Sequence, residues 1–372
     1  MQIKEYYFNS FYGWWKNIDK LILIIVLVLF FLGLFFSLVS TSLIASNKLQ
    51  TNSYYFFVKH FIFVLAGLCF LFSFSILEQE KLFKLSIVLF FIFFVLLALV
   101  PFIGVEVKGS KRWIDIGSIV RLQPIELLKP FFVIIISLIL TIKKYQNKYF
   151  KYLISIFLLF PLIFFLISQP DLGQTILILS TWLVLVFVSG ISLIVFFLFF
   201  FFFIGFTSYL IFFIPKFEYI KIRMMSFLDS SSGNNYQTEK ASEAIISGGF
   251  FGKGIGEGTL NNRIPEAHTD YIVSVISEEF GIIIVIAIIL IFLFLTFQVI
   301  KKISLEEDNK VKLILLGLAS ILMLQTFVHI GVNIRALPTT GMTLPFLSYG
   351  GSSIISNSIL AGTILNLTRR KI

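Results

Sequence analysis

The stretch ISLIVFFLFFFFFIGFTSYLIFFI, residues 191–214, contains no charged side chain. A helix rises 1.5 Å per residue, and about 20 apolar residues are enough to cross the hydrocarbon core of a bilayer. This stretch therefore predicts a transmembrane helix. Similar apolar runs recur along the chain on both sides of it.

The composition of the whole chain agrees with this prediction. Of 372 residues, 58% are hydrophobic and 13% are charged, and phenylalanine alone occurs 47 times. Soluble domains have about 25% charged residues, and one water-soluble core cannot bury this much apolar surface. The composition excludes the soluble enzyme classes and predicts an all-α polytopic membrane protein, with residues 1–372 forming a single integral membrane domain.

Ten apolar segments are predicted to be transmembrane helices. They are 21–45, 56–77, 83–103, 124–142, 152–168, 172–189, 191–214, 271–300, 311–334 and 346–367. The polar interruption at 169–173 is interpreted as a tight turn between two spans. An even number of spans places both termini on the same side of the membrane.

Cationic residues in short loops predict that this side is cytoplasmic. Lysine and arginine cluster in the connections 143–151 and 301–312 and in the tail 369–371, and the positive-inside rule places such loops in the cytoplasm. The net charge of +10 is then partly a topology signature, and no nucleic-acid partner is expected. A large extracytoplasmic loop, 215–270, lies between spans seven and eight. A second outer loop covers 104–123.

The end of the large loop carries Arg263, Glu266, His268 and Asp270 directly before an apolar helix. Asp270 is expected at the N-cap of that helix, a position that aspartate favours for structural reasons. A carboxylate at the membrane boundary can also act as a general base. From the residues alone, the two roles are equally supported.

Metal binding at this segment stays open. The chain has three histidines and no HExxH spacing, which makes a zinc site improbable. Asp270 or Glu266 could instead coordinate a divalent cation together with a substrate diphosphate. Glu278, eight residues after Asp270, is interpreted as a buried carboxylate with a structural basic partner.

Other polar groups have both a structural and a functional interpretation. Lys253 lies in the glycine-rich stretch 248–258, which suits close approach to a phosphate but is more simply a flexible turn. Lys111 and Arg112 fit either an interfacial anchor or a clamp for an anionic head group.

Two further segments are interpreted structurally. Glu126 and Lys129, spaced i and i+3 in a helix that begins near Pro124, predict a buried structural ion pair. The stretch 337–353 is rich in proline, glycine and hydroxyl residues, and it predicts irregular backbone that lines a cavity or packs closely against helices.

Together these motifs resemble the SEDS family (shape, elongation, division and sporulation), and they occur in the family's order over nearly the whole chain. The motifs are Lys111-Arg112-Trp113-Ile114, Gln123-Pro124 with Glu126 and Lys129, Gln169-Pro170-Asp171-Leu172-Gly173, Pro265-Glu266-Ala267-His268-Thr269-Asp270 with Glu278-Glu279-Phe280-Gly281, and Leu337-Pro338 through Ser352-Ser353. Ile125 departs from the family, which usually has serine there. The form of 256–270 and 343–351 is closer to the cell-division members than to the elongation members.

The resemblance implies a peptidoglycan glycosyltransferase that polymerises lipid II on the outer face of the bacterial cytoplasmic membrane, at the division septum. It also implies a partner class B penicillin-binding transpeptidase, other divisome membrane proteins, and dependence on a divalent cation (Mg²⁺ or Mn²⁺) without an organic cofactor. The family's essential aspartate falls on Asp270, which favours the catalytic role over the capping role.

The expected reaction is an inverting glycosyl transfer with Asp270 as general base. Lys111, Arg112 and Arg263 are the candidates for stabilising the diphosphate leaving group, while Lys253, Glu266 and His268 are further candidates for binding substrate. The alternatives are a lipid II flippase, an elongation-type polymerase and a divisome scaffold without chemistry. A flippase predicts ionisable residues at several membrane depths, whereas the polar residues here concentrate on one face.

Overall fold

A computed structural model describes residues 12–41, 54–107, 110–117, 120–142, 149–214, 217–228, 236–260 and 263–370. Its helices are α1 (Lys20–Phe36), α2 (Tyr55–Ile76), α3 (Gln79–Ile103), α4 (Pro124–Leu140), α5 (Phe150–Ser168), α6 (Leu172–Val188), α7 (Leu193–Phe213), α8 (Glu218–Leu228), α9 (Tyr236–Gly248), α10 (Ile272–Phe280), α11 (Ile282–Leu305), α12 (Asn309–Asn333) and α13 (Gly351–Leu367). A π-helical turn, Ser37–Thr41, extends α1. The strands are β1 (Val105–Val107), β2 (Ser110–Ile116) and β3 (Val120–Leu122).

The helices lie where the apolar segments predicted them. Among the described residues, seven helices are long and apolar enough to cross a membrane: α1 with its extension to Val39, α2, α3, α5, α7, α11 and α12. Helices α4, α6 and α13, with 17 residues each, occupy the other three predicted positions. The chain is a multi-pass membrane protein, and the count of ten spans stays a prediction.

The first and last described segments meet at one end of the helix bundle. The Arg370 amide donates a hydrogen bond to the Asn17 carbonyl oxygen at 3.1 Å. Lys302, at the end of α11, pairs with Asp19 at 2.7 Å. The even number of passes and the cytoplasmic side of the termini stay predictions. Other cationic residues that entered the orientation prediction, Lys143, Lys144, Lys148 and Lys371, lie outside the described residues.

Close packing of α2 against α13 depends on small residues. A Cβ atom at Gly67 would collide with the Ser358 hydroxyl, and one at Gly362 would lie 2.5 Å from the Leu71 carbonyl oxygen. Small residues let membrane helices approach closely enough for backbone contact. Residues 343–350 immediately precede α13 in the chain.

The loop after α3 adds a small antiparallel sheet, in the order β1-β2-β3, to the all-α bundle. Val105 pairs with Trp113, and Ile114 pairs with Leu122. Neighbouring side chains on a strand point to opposite faces, so the sheet separates two residues that were predicted to act together. Arg112 is buried, whereas Lys111 is exposed.

The predicted span 271–300 is wrong as one continuous helix, because the chain breaks between α10 and α11 at Gly281. This glycine has φ 83°, in the left-handed region that favours glycine, and a Cβ there would collide with the Phe250 carbonyl oxygen. The Ile282 amide donates to the Gly249 carbonyl oxygen at 3.0 Å. The glycine-rich stretch is therefore docked on the break, and this docking prevents a continuous helix.

Candidate functional site

Asp270 lies in a turn before α10, and the prediction that it caps this helix is wrong. The N-cap residue is Tyr271, and it has no side-chain cap hydrogen bond. The Asn333 side chain, at the end of α12, accepts hydrogen bonds from the Ser274 amide (3.1 Å) and hydroxyl (2.8 Å). A distant amide thus binds a first-turn N–H group that a capping carboxylate would otherwise bind. Asp270 is therefore not the residue that caps α10.

Three consecutive backbone carbonyls fix the turn that carries Asp270. The donors are Asn333 Nδ2 to the Asp270 oxygen (3.0 Å), Ser348 Oγ to the Thr269 oxygen (2.7 Å) and the Tyr349 amide to the His268 oxygen (3.0 Å). All three donors lie in or beyond the last turn of α12. The position of Asp270 is therefore set by the C-terminal part of the chain.

The Asp270 carboxylate faces Gly341, close to the Arg112 guanidinium. A Cβ atom built at Gly341 would lie 3.5 Å from Asp270 Oδ2 and 3.8 Å from Arg112 Nη1. Gly341 has φ 69°, where a side chain would be strained. A side chain at this position would lie close to both the carboxylate and the guanidinium, so Asp270 and Arg112 border the same glycine.

Arg112 is held in place by the turn between α5 and α6. Its Nη1 lies 3.7 Å from Asp171 Oδ1, its Nε donates to the Gln169 carbonyl oxygen at 3.2 Å, and its Nη2 donates to the Pro170 carbonyl oxygen. Gln123 Nε2 donates to the second Asp171 oxygen at 3.1 Å. The guanidinium is thus preorganised, with Nη1 directed toward Gly341.

Tyr271 places a neutral hydroxyl beside Asp270. Burial raises the pKa of the Tyr271 hydroxyl, the Asp270 charge raises it further, and the Arg223 charge opposes this shift. The hydroxyl therefore stays protonated at neutral pH. Asp270 and Arg223 both lie within electrostatic reach of it.

A buried polar network connects the membrane-spanning helices to the loop that contains Gly341. Its bonds are Lys129 Nζ to Glu126 Oε2 (2.8 Å), Gln174 Nε2 to Glu126 Oε1 (2.5 Å), Lys129 Nζ to Gln325 Oε1 (2.8 Å) and Gln325 Nε2 to the Thr343 carbonyl oxygen (2.9 Å). Glu126 and Lys129 are 3% and 1% exposed. The predicted ion pair is present, and it joins α4, α6 and α12 to residue 343.

Lys253 has a structural partner in this arrangement. Its Nζ lies 3.4 Å from Glu278 Oε1, and the same oxygen accepts hydrogen bonds from the Thr259 and Leu260 amides at 2.9 Å. Glu278 is completely buried, as its interpretation as a structural carboxylate requires. Lys253 therefore lies at the junction of α10 and α11, and the structure gives no contact between it and Asp270.

The other predicted site residues divide into two groups. His268 lies against the rings of Phe56 (5.0 Å) and Tyr349 (5.7 Å), and Glu266 accepts a hydrogen bond from the Thr269 hydroxyl at 3.2 Å. Both are part of the Asp270 turn. Lys111 and Arg263 are exposed, and Lys111 projects from the opposite face of β2 to Arg112.

A cation at this site would have few protein ligands. Among the residues that the structure describes, no group of three or more His, Cys, Asp or Glu side chains could hold a metal ion. Asp270 and Glu266 would supply at most two carboxylates. Mg²⁺ is often held by one or two carboxylates together with substrate phosphates and water, so this donor set fits a cation that arrives with a diphosphate.

Several residues of the site were not singled out from the sequence. Asn333 and Tyr271 carried no motif by themselves, and Asp171 was interpreted as part of a turn. A polar amide in the last turn of an otherwise apolar helix, such as Asn333 in α12, was the available signal. Arg223 lies in α8, within the large loop, and gave no comparable signal.

The fold and the site define a multi-pass membrane protein in which a carboxylate, Asp270, and an arginine, Arg112, both border Gly341. The family model for FtsW, RodA and SpoVE, described as cell cycle proteins, matches residues 19–372. The chain belongs to this family, and the SEDS resemblance seen in its motifs is confirmed.

Relatives named probable peptidoglycan glycosyltransferase FtsW align along nearly their full length. The protein from Coxiella burnetii is 34% identical, with 94% of this chain and 95% of the relative covered. The protein from Nitrosomonas europaea is 33% identical, with 94% and 92% covered. The protein from Caulobacter vibrioides is 29% identical, with 96% and 91% covered.

Solved structures have the same fold. A chain from a peptidoglycan synthase complex, whose structure describes the coordination of polymerization and crosslinking, superposes with a TM-score of 0.77 at 25% identity, covering 94% of this chain and 97% of that one. The rod shape determining protein RodA of Thermus thermophilus gives a TM-score of 0.70 at 24% identity, covering 94% and 96%. The similarity to RodA concerns the fold alone.

Replacement of Lys129 by methionine should strongly destabilise the protein. The substitution leaves the Glu126 carboxylate buried without its cation, and breaking such a pair costs about 3–5 kcal/mol. The double variant Glu126→Gln/Lys129→Met should recover much of this loss, because it buries no charge. Thermal unfolding of the detergent-solubilised protein measures both effects.

The matched control is Lys240→Met, which removes the cation of the Lys240–Glu243 pair on α9, where Glu243 is exposed. Its effect should be below about 1 kcal/mol. Equal unfolding temperatures for Lys129→Met and the control would contradict the role given to the buried pair.

Proposed function

We propose that this protein is a peptidoglycan glycosyltransferase that polymerises lipid II on the outer face of the cytoplasmic membrane during cell division. Membership of the family and the names of its relatives support this activity. The observation that carries the proposal is the Asp270 carboxylate, fixed through its backbone and placed beside the Arg112 guanidinium.

Asp270 acts as general base in the proposed reaction. It removes the proton of the 4-hydroxyl on the acceptor sugar while that oxygen attacks the anomeric carbon of the donor. The bond between the anomeric carbon and the diphosphate breaks, and configuration is inverted. Asp270 is not the helix N-cap, a position at which a helix amide would stabilise its charged form and weaken it as a base.

Arg112 is the cation best placed to stabilise the leaving diphosphate. Its Nη1 is directed toward Gly341, the residue that Asp270 also faces. Arginine forms bidentate hydrogen bonds with phosphate oxygens. Lys111 and Arg263, both exposed, can contribute charge from the periphery of the site.

Asp270 and Glu266 are proposed to hold a Mg²⁺ or Mn²⁺ ion together with the substrate diphosphate, without any organic cofactor. Such an ion would neutralise charge on the leaving group. Polymerisation by the purified protein should stop in EDTA and return when Mg²⁺ or Mn²⁺ is added in excess. Full polymerisation in EDTA would show that the reaction needs no divalent cation.

Replacement of Asp270 by asparagine should abolish most polymerisation without unfolding the protein. A general base contributes typically 10²–10⁴-fold to a rate, and asparagine keeps the shape of the side chain. Gel analysis of glycan strands made from lipid II by reconstituted protein measures the loss. Glu257→Gln, an exposed loop carboxylate, is the matched control and should retain the wild-type rate.

The same vesicles separate this proposal from a lipid II flippase. A polymerase converts labelled lipid II to chains, whereas a flippase moves the label across the membrane and leaves it as monomer. Wild-type rates for Asp270→Asn would exclude the general base. Translocation by the wild-type protein without polymer would exclude the enzyme activity itself.

The proposed partners are a class B penicillin-binding transpeptidase and other membrane proteins of the divisome. The similar peptidoglycan synthase complex, which coordinates polymerization with crosslinking, supports a transpeptidase partner. A division role predicts that a fluorescent fusion gathers at mid-cell. Uniform labelling of the side wall would instead support an elongation-type polymerase.

A further inference from the structure

A cavity of about 690 Å³ lies at the Asp270 end of the bundle. Helix α8 contributes Arg223 and Ser226 to its wall, α9 contributes Gln237 and Thr238, and the segment after α12 contributes Arg335 and Thr339. Cavities of about 300–1,000 Å³ are typical of sites for small molecules. None of the contacts described above for Asp270 and Arg112 involves these six residues.

The charge of the cavity wall is positive. Arg223 and Arg335 both line it, and no aspartate or glutamate is among the described residues of its wall. Hydroxyl and amide groups of Ser226, Gln237 and Thr238 lie between apolar side chains. Guanidinium groups bind carboxylate and phosphate with paired hydrogen bonds, so the wall suits an anionic ligand with further polar groups.

Arg335 occupies a backbone position that favours glycine. It follows the C-cap residue of α12 and has φ 58°, the left-handed conformation in which helices commonly end with glycine. The Ala336 and Leu337 amides both donate to the Gly331 carbonyl oxygen, at 2.7 and 3.0 Å. An arginine is strained here, and strained residues cluster at binding sites. Its side chain borders the cavity.

The cavity adjoins the Asp270 turn. Pro265 lines the cavity and precedes Asp270 by five residues, and Thr339 lines it two residues before Gly341. Arg223 acts electrostatically on Tyr271, as Asp270 does. Asp270 therefore has two cationic neighbourhoods. Arg112 lies on the other side of Gly341, and Arg223, in the cavity wall, acts on the neighbouring Tyr271.

We propose that this cavity binds the anionic head group of the acceptor molecule, with Arg223 and Arg335 contacting its acidic oxygens. The inference rests on the proposed function, in which two copies of a diphosphate-linked saccharide peptide meet at Asp270. The donor diphosphate is assigned to Arg112, and the cavity is the second cationic site beside Asp270. The acidic oxygens belong to the diphosphate or to the carboxylates of the peptide.

The test uses Arg335→Gly, because glycine suits the backbone and removes only the side chain. Binding of fluorescent lipid II is measured on full-length protein in nanodiscs, in an Asp270→Asn background that does not turn the probe over. Loss of a charge-assisted contact should weaken binding about tenfold or more, and a thermal unfolding transition confirms that the variant is folded. Arg335→Lys should recover part of the affinity.

Kinetics in the wild-type background give a second measurement. Arg335→Gly and Arg223→Gln should raise KM for lipid II about tenfold, with a much smaller change in kcat. Lys240→Ala is the control, since it removes a cation of α9 that does not line the cavity. Competition by inorganic pyrophosphate would identify the diphosphate as the bound group, and competition by a soluble disaccharide pentapeptide would identify the peptide carboxylates.

Failure of this inference and failure of the proposed function look different. If the wild-type protein makes glycan strands while both arginine variants keep its KM and affinity, the acceptor cavity is wrong and the polymerase stands. If the wild-type protein makes no strands even when its activating partner is present, both the acceptor cavity and the polymerase activity are wrong.

Discussion

The buried ion pair between Glu126 and Lys129 is the constraint on which the arrangement of the bundle depends. Removing two charges from water costs several kcal/mol per ion unless their geometry and hydrogen bonds are kept. Gln174 and Gln325 complete those hydrogen bonds from α6 and α12. These three helices therefore cannot slide past one another without exposing a charge to an apolar environment, and Gln325 carries the same restraint to residue 343.

The same buried network restrains the backbone around the site. Residue 343 lies two positions after Gly341, and the residues that follow it fix the backbone on both sides of Thr269. Asn333 both fixes Asp270 and binds the first turn of α10, so one amide positions the carboxylate and replaces it as a cap. The hydrogen bonds that fix the turn thus go to its backbone carbonyl oxygens rather than to the Asp270 carboxylate.

The sequence predicted the helices well because hydropathy is a local property, and all ten apolar segments contain helices. What it missed depends on contacts between distant residues. The break at Gly281 follows from docking of residues 249–252. The Asn333 side chain, which accepts a hydrogen bond from the first turn of α10, is 59 positions from its partner Ser274. The opposite directions of Lys111 and Arg112 would follow from strand alternation, but the loop was not predicted to contain a strand. The ion pair was predictable, because i and i+3 spacing is local.

The hydrogen bonds from the last part of the chain to the Asp270 turn have a consequence for the order in which the molecule is completed. Helices enter a membrane as the ribosome makes them, from the N-terminus onward, yet Asp270 is fixed by Ser348 and Tyr349, just before α13. The carbonyl of Glu126 likewise accepts its hydrogen bond from Ser356 in that last helix. Until residues 348 and 349 are made, the turn around Asp270 lacks two of its three anchoring hydrogen bonds and keeps only the one from Asn333. A chain cut short before them by a stalled ribosome therefore contains the aspartate but not the complete site.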